Sequence, residues 1–242
     1  GYMRVKPPLV EYEDSLLSDG PGKVLKDSTF RIMDPLSQKM MALRSDVTAQ
    51  ISRIASTRLS HLPRPLRLSY SGDVLRVKGD SFNMERQKTQ VGVELIGPKS
   101  ELIDSEIILV CCQSLKSVNI KNITVDLNLP FLREYFLKGI KKPLKEKINE
   151  AIDRKDLQTL TKLKFDNSEI ILKLMKSVGS SEHGFRLLSE LKLDGILLEA
   201  RDYLLKVINI IQENDNSINI SIDPLENRGF KYHTGLTFTI FS

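Results

Sequence analysis

The sequence predicts an α+β fold, an antiparallel sheet flanked by helices and interrupted by a helical module. Three observations predict it. Residues 66–77 and 87–96 each alternate polar and apolar side chains, as the two strands of an antiparallel unit do. From 131 to about 212 the alternation gives way to amphipathic helical periods, for example 144–152, 168–178 and 199–211, with Lys and Glu on the polar side and few Gly or Pro. Strand character then returns at 218–222 and 230–241. The expected divisions are therefore 1–130 (sheet and helices), 131–216 (a helical insertion) and 217–242 (last strands), with 40–96 and 217–242 in one antiparallel sheet.

Taken in order, Pro7-Pro8 predicts an extended entry over 4–10 leading into a helix near 9–17, which Gly20-Pro21-Gly22 breaks. Two short strands, 29–33 and 40–44, are joined by Asp34-Pro35-Leu36-Ser37, with Pro at the second turn position as type I turns favour. Ser45 or Asp46 caps a helix whose apolar positions Val47, Ile51, Ile54 and Ala55 recur at helical spacing. Pro63 and Pro65 close that unit. The loop Gly79-Asp80-Ser81-Phe82-Asn83-Met84 is too long for a tight turn between the paired strands. Gly97-Pro98 ends the second strand, Ser100 caps a helix over about 101–117, and a short strand follows at 123–127.

Charge and composition narrow the function classes. The net charge of +5 is spread along the chain. Residues 1–130 hold 18 basic and 15 acidic side chains, 131–216 hold 16 and 14, and 217–242 hold 2 and 2. No basic stripe for nucleic acid emerges, and Trp is absent, which speaks against a base-stacking platform. The longest apolar run, from Ile107 to Cys112, is far short of the ~20 residues that span a bilayer. The adjacent Cys111 and Cys112 suit buried free thiols of a reducing, cytoplasmic compartment. No metal-ligand spacing, phosphate loop or dinucleotide fingerprint occurs, so no metal and no cofactor is expected. The chain opens on Gly1-Tyr2 and stops inside a strand-like run at Ser242, so an incomplete core is expected.

Four places can carry chemistry. On the strand 87–96, Gln90, Gly92 and Glu94 share one face, and Val91, Val93 and Leu95 the other, which is expected to meet a core. A carboxamide and a carboxylate flanking a side-chain gap suit an imidazole or ammonium resting on the backbone at Gly92. The other reading is an exposed sheet face with Glu94 paired to a Lys. Arg76, with Lys78 nearby, suits an anion such as phosphate, or else a surface ion pair with Glu85 or Asp80. Asp46 and Thr48 stand at a helix start, as ligand acceptors or as a plain cap. Arg228-Gly229 precedes a strand on which Tyr232 and His233 alternate, and can aim a guanidinium into a cleft. Of His61, His183 and His233, none has a partner at metal-ligand spacing.

The order of these segments resembles the class II aminoacyl-tRNA synthetase core of the histidyl type. The stretches are Pro8-Leu9-Val10-Glu11, Leu43-Arg44-Ser45-Asp46-Val47-Thr48-Ala49-Gln50, the strand from Arg67 to Arg76, the run from Glu85 to Gly97, and Arg228-Gly229-Phe230-Lys231-Tyr232-His233-Thr234-Gly235. The wording is closer still to a paralogous family, the regulatory subunits of ATP phosphoribosyltransferase. The resemblance covers 4–130 and 217–242.

It implies a histidine-like ligand pocket. Asp46 and Thr48 would lie by the amino group. Gln90 and Glu94 would form the floor, and Arg228 and Tyr232 would close it. Arg76 matches the arginine that grips the α-phosphate of ATP in synthetases. Departures from the synthetase pattern weaken adenylation: Asp46 stands where Glu is usual, Lys78 replaces a Glu, and Lys231 and His233 replace Asp and Tyr. The resemblance therefore implies a non-catalytic subunit in the first step of histidine biosynthesis. It would be partnered with the short-form catalytic phosphoribosyltransferase and answer to histidine as feedback effector. A homodimer formed through 4–17 within a hetero-oligomer is expected, with no membrane and no tRNA. The alternative is a truncated or divergent histidyl-tRNA synthetase forming histidyl-adenylate.

Overall fold

The computed structural model describes residues 1–17, 24–79, 84–190, 195–227 and 234–242. The chain forms two compact units, 1–99 and 100–242.

The first unit is built around a long hairpin. Strands β5 (Leu66–Leu75) and β6 (Gln87–Ile96) pair antiparallel over their full length, from Leu66 opposite Ile96 to Leu75 opposite Gln87. A two-residue strand β1 (Met3–Arg4) adds to β5 in parallel. A second sheet is antiparallel and runs in the order β2 (Val10–Tyr12), β4 (Met40–Leu43), β3 (Phe30–Met33). The turn at Asp34 forms as expected, and the Asp34 carboxylate accepts from the Leu36 and Ser37 amides and the Ser37 hydroxyl. Those three hydrogen bonds hold the Asp34 carboxyl below its ordinary pKa.

The helix expected from 9 is shorter. Residues Val10–Tyr12 extend to pair with β4, and helix α1 covers only Glu13–Leu17. The sheet edge at Leu43 takes the backbone groups that a helix would have used. The Gly20-Pro21-Gly22 break lies outside the described residues. Helix α2 (Thr48–Ser56) packs Val47, Ile51 and Ala55 onto Leu66, Leu68, Tyr70 and Val74 of β5. Ile51 and Leu68 are fully buried, each contributing roughly 1.5–3 kcal/mol of apolar transfer.

That packing fixes which face of the hairpin is inside. Directly opposed residues of an antiparallel pair share a face. Leu68 opposes Glu94, Tyr70 opposes Gly92, and Gly72 opposes Gln90. The covered face is thus the one bearing Gln90 and Glu94. The expectation that Val91, Val93 and Leu95 meet a core is corrected, since Val91 is 75% exposed. The apolar residues of β5 decided the matter, not those of β6.

The second unit carries a four-stranded mixed sheet in the order β10 (Thr237–Phe241), β7 (Thr124–Asn128), β9 (Asn219–Asp223), β8 (Gly179–Ser180). β7 and β9 run parallel and β10 pairs antiparallel with β7. The single antiparallel sheet expected over 40–96 and 217–242 is therefore corrected: β9 and β10 take their hydrogen bonds from β7. Helices α3 (Glu101–Ser117), α4 (Pro130–Phe136), α5 (Lys142–Asp153), α6 (Leu157–Lys162), α7 (Ser168–Lys176), α8 (Ser181–Ser189) and α9 (Gly195–Asn214) complete the unit. α3 spans the predicted residues, and the Ser100 side chain caps it by accepting from the Leu102 amide.

The sheet is two-faced. Val125, Leu127, Ile220 and Ile222 are buried in a core with Ile108, Leu204, Val207 and Ile211 of the helices. Asp126, Asn128, Ser221, Asp223, Thr237 and Thr239 line the opposite face. The Ser221 hydroxyl and the Asn128 amide both donate to Asp126. Cys112 is buried and its thiol is pushed up to about 11 by burial, as expected of a free thiol in a core. Among the described residues no helix is long and apolar enough to cross a membrane, and no three His, Cys, Asp or Glu side chains group to hold a metal.

Candidate functional site

The site of the first unit lies where the start of α2 meets the inner face of β6. Two backbone amides at the helix entrance have no carbonyl four residues back to receive them. Side chains receive them instead. The Val47 amide donates to Gln90 Oε1 at 3.1 Å, and the Thr48 amide donates to Asp46 Oδ1 at 2.8 Å. Gln90 Nε2 then donates to Asp46 Oδ2 at 3.2 Å and to the Tyr70 hydroxyl at 3.3 Å. The N-cap is Val47, whose side chain makes no capping hydrogen bond, so the cap expected at Ser45 or Asp46 is corrected: Asp46 stands one residue earlier and receives the Thr48 amide, while the Val47 amide goes to Gln90, 43 residues on. Asp46 is only 5% exposed.

Glu94 lies on the same face, half-buried, and accepts from the Thr48 side chain. Burial is the main cause of its carboxyl being pushed up to about 7. The Thr48 hydrogen bond opposes that rise and the neighbouring Asp46 charge adds to it. The structure therefore brings Asp46, Thr48, Gln90 and Glu94 together on one wall. The exposed-face reading of Gln90 and Glu94 does not hold.

The gap over Gly92 is not open. A Cβ at position 92 would stand 2.4 Å from Cζ and the hydroxyl oxygen of Tyr70, so the phenol of β5 fills that space. The expectation of a ligand resting on the backbone there is corrected. The gap between Gln90 and Glu94 is a seat for a neighbouring ring. Gly72 does the same for Arg44, whose guanidinium would meet a Cβ at 72 at 2.3 Å.

Arg44, buried to 5% exposure, ties the unit together. Its Nε donates to the Asp73 carbonyl at 2.7 Å and its Nη1 to the Pro7 carbonyl at 2.9 Å. Gln50 of α2 donates to the Pro8 carbonyl at 2.8 Å. Burial lowers the Arg44 pKa, and the charges of Asp73 and Glu11 oppose that. Sequence reasoning gave neither Tyr70 nor Arg44 a role. The signal for both was a glycine in mid-strand, which marks close approach by another group.

Arg76 follows β5, half-buried, with Nε donating to the Ser45 carbonyl at 3.3 Å, so it stands at the loop that carries Asp46. Arg228 and Tyr232, with Lys231 and His233, lie outside the described residues.

The comparisons with known proteins agree with one another. The histidyl-tRNA synthetase family profile matches residues 1–242. The chain is 42% identical over 244 residues to an ATP phosphoribosyltransferase regulatory subunit of Rhodospirillum centenum. That match takes in all of this chain and 63% of the relative. It is also 42% identical to one of Paramagnetospirillum magneticum, covering 64% of that protein. The chain thus spans a little under two thirds of the length of these curated relatives.

Among solved structures, an ATP phosphoribosyltransferase regulatory subunit/histidyl-tRNA synthetase from Bacillus halodurans superposes with a TM-score of 0.82 at 20% identity, over all of this chain and 64% of the other. A HisG:HisZ ATP phosphoribosyl transferase complex from Thermotoga maritima gives 0.73 at 20% identity, over all of this chain and 81% of that one. At such identities the likeness speaks for the fold, which is that of the class II synthetase core. With its profile match over the whole length, this chain belongs to the histidyl-tRNA synthetase family.

Proposed function

We propose that the chain is part of a regulatory subunit of ATP phosphoribosyltransferase, which serves the first step of histidine biosynthesis and does no chemistry itself. Identity of 42% to regulatory subunits along its entire length carries this reading. Its partner is the short-form catalytic phosphoribosyltransferase, in line with the HisG:HisZ pairing of the Thermotoga maritima complex. Histidine is the effector, and the wall of Asp46, Thr48, Gln90 and Glu94 is its binding site. Residues 131–216 form a helical insertion in the core, and 4–17 contribute to a homodimer within the hetero-oligomer.

The site chemistry supports a pocket for a cationic group. Two carboxylates and a carboxamide meet on a wall packed by α2, and Gln90 and Asp46 hold each other and the helix entrance in place. Glu94 is the carboxylate with accepting capacity to spare, since only the Thr48 side chain is bonded to it among the described residues. Calorimetry of L-histidine with the full-length complex tests this. Glu94→Ala should weaken binding about 5- to 150-fold, the equivalent of a lost charged hydrogen bond of roughly 1–3 kcal/mol. Unchanged affinity would move the effector to another site and leave the family assignment standing.

A further inference from the structure

The three-stranded sheet β2–β4–β3 of the first unit leaves a face and an edge uncovered. Across it Tyr12 stands opposite Met41 and Met41 opposite Ile32, and Val10, Leu43 and Phe30 form the other row of the same face. All six side chains are apolar or aromatic. None is buried, and Tyr12 is 44% and Ile32 49% exposed. β3 is the outer strand of the sheet. Hydrogen-bonded pairs alternate along an antiparallel ladder. The Asp34 amide donates to the Lys39 carbonyl at 2.9 Å, so Ile32 and Phe30 turn their backbone groups toward β4, and Arg31 and Met33 turn theirs outward. Among the described residues those outward groups meet no backbone partner. Free edges are commonly guarded by Lys, Pro or a bulge. Phe30-Arg31-Ile32-Met33 has none of these, and its one charge, Arg31, is held by Glu13 at 2.7 Å and by the Lys26 carbonyl at 3.1 Å.

An edge with unpaired N–H and C=O groups takes another strand, and this one is complementary to itself. We propose that β3 pairs antiparallel with β3 of a second copy of this chain, about a two-fold axis at Ile32. The register follows from the outward groups. Arg31 exchanges its two backbone hydrogen bonds with Met33 of the second copy, and Met33 exchanges its own with Arg31 of that copy. Ile32 then faces Ile32 of the second copy as a non-hydrogen-bonded pair, the kind whose side chains come closest. The sheet becomes six-stranded, and the apolar row Tyr12–Met41–Ile32 runs on into Ile32, Met41 and Tyr12 of the second copy. The neighbouring symmetric registers are worse. Centring the axis on Arg31 sets two guanidinium groups against each other, and centring it on Met33 sets Asp34 against Ile32. The inference rests on the homodimer reading above. The 4–17 segment supplies Val10 and Tyr12 to the shared face, and β3 supplies the axis.

The test follows self-association of the full-length protein by sedimentation equilibrium. Ile32→Lys should weaken it roughly 100-fold, because both copies lose the apolar contact at the axis and like charges meet there. Ile32→Glu should do the same. An equimolar mixture of the two variants should associate again as a mixed pair, since the two side chains face each other. Association that either change leaves intact, or that mixing does not restore, overturns the inference. Ile32→Cys decides the matter if the charged variants do not fold. Non-hydrogen-bonded antiparallel partners stand about 4.5 Å apart at Cα, within disulfide reach. Mild oxidation should therefore link Ile32→Cys, and not wild type, into a covalent dimer on a non-reducing gel, and failure to link overturns the inference. A wild type that stays monomeric overturns both this pairing and the homodimer reading. A wild-type dimer indifferent to every change at position 32 overturns the pairing alone.

Discussion

Gly92 and Tyr70 show how one missing methyl group shapes the site. A Cβ at 92 would lie 2.4 Å from the Tyr70 ring, far inside contact distance. Gly92→Ala should therefore cost about 1–3 kcal/mol in urea unfolding, as overpacking does. In a Tyr70→Ala background the same change should cost little, since the atoms it strikes are gone. Additive losses in that double-mutant cycle would show that the ring is not seated on the glycine. Glu94 gives a second residue-level expectation, in pH. Its folded pKa lies above its unfolded value, so the folded state binds more protons between about 4.5 and 7. Stability from this group is therefore lost as pH rises through that window, by up to ~1.4 kcal/mol per pH unit, and is flat above it. Glu94→Gln should remove that slope from a series of unfolding curves, and an unchanged slope would assign it to other groups.

At the level of elements, α2 is placed by both of its faces. Ile51 and Ala55 hold it on β5, while Gln90 and Asp46 hold its first turn on β6. Ile51→Ala should cost ~2–5 kcal/mol, since Ile51 is fully buried. Gln90→Ala should cost about 1–3 kcal/mol by leaving the Val47 amide without its acceptor and Asp46 without one of its donors. Both are checked by the midpoint of denaturant unfolding. In the second unit, Lys155 at the end of α5 pairs with Asp223 of β9 and with Glu226. Burial raises the Asp223 pKa and the Lys155 pairing opposes it, so Lys155→Met should raise that pKa further and widen the range, upward from the ordinary 3.8, over which stability falls as pH rises.

These elements also show how far the sequence reaches. The hairpin β5–β6, the capped helix α3 and the clustering of Asp46 with Gln90 and Glu94 were legible from alternation, a Ser cap and motif order. The inner face of β6 was not, because Val91, Val93 and Leu95 make the wrong side look apolar. Only the packing of α2 on Leu68 and Tyr70 settles it. Nor was the strand at Val10–Tyr12, whose partner β4 lies about 30 residues away and leaves no local signal.

For the whole molecule, the similar proteins bear two kinds of name, ATP phosphoribosyltransferase regulatory subunit and histidyl-tRNA synthetase. By the resemblance alone, Arg76 and Arg228 match positions of the synthetase pattern, whereas Asp46 and Lys78 depart from it. The full-length protein is accordingly expected to show no histidine-dependent exchange of pyrophosphate into ATP, assayed with labelled pyrophosphate. The most direct test of the account is reconstitution: the full-length protein is mixed with a purified short-form catalytic phosphoribosyltransferase and phosphoribosyl transfer to ATP is followed as histidine is added. The account predicts that transfer rises when the two are combined, and that histidine suppresses it in wild type and far less in Glu94→Ala. No effect on transfer, together with robust histidine-dependent pyrophosphate exchange by the protein alone, would contradict it.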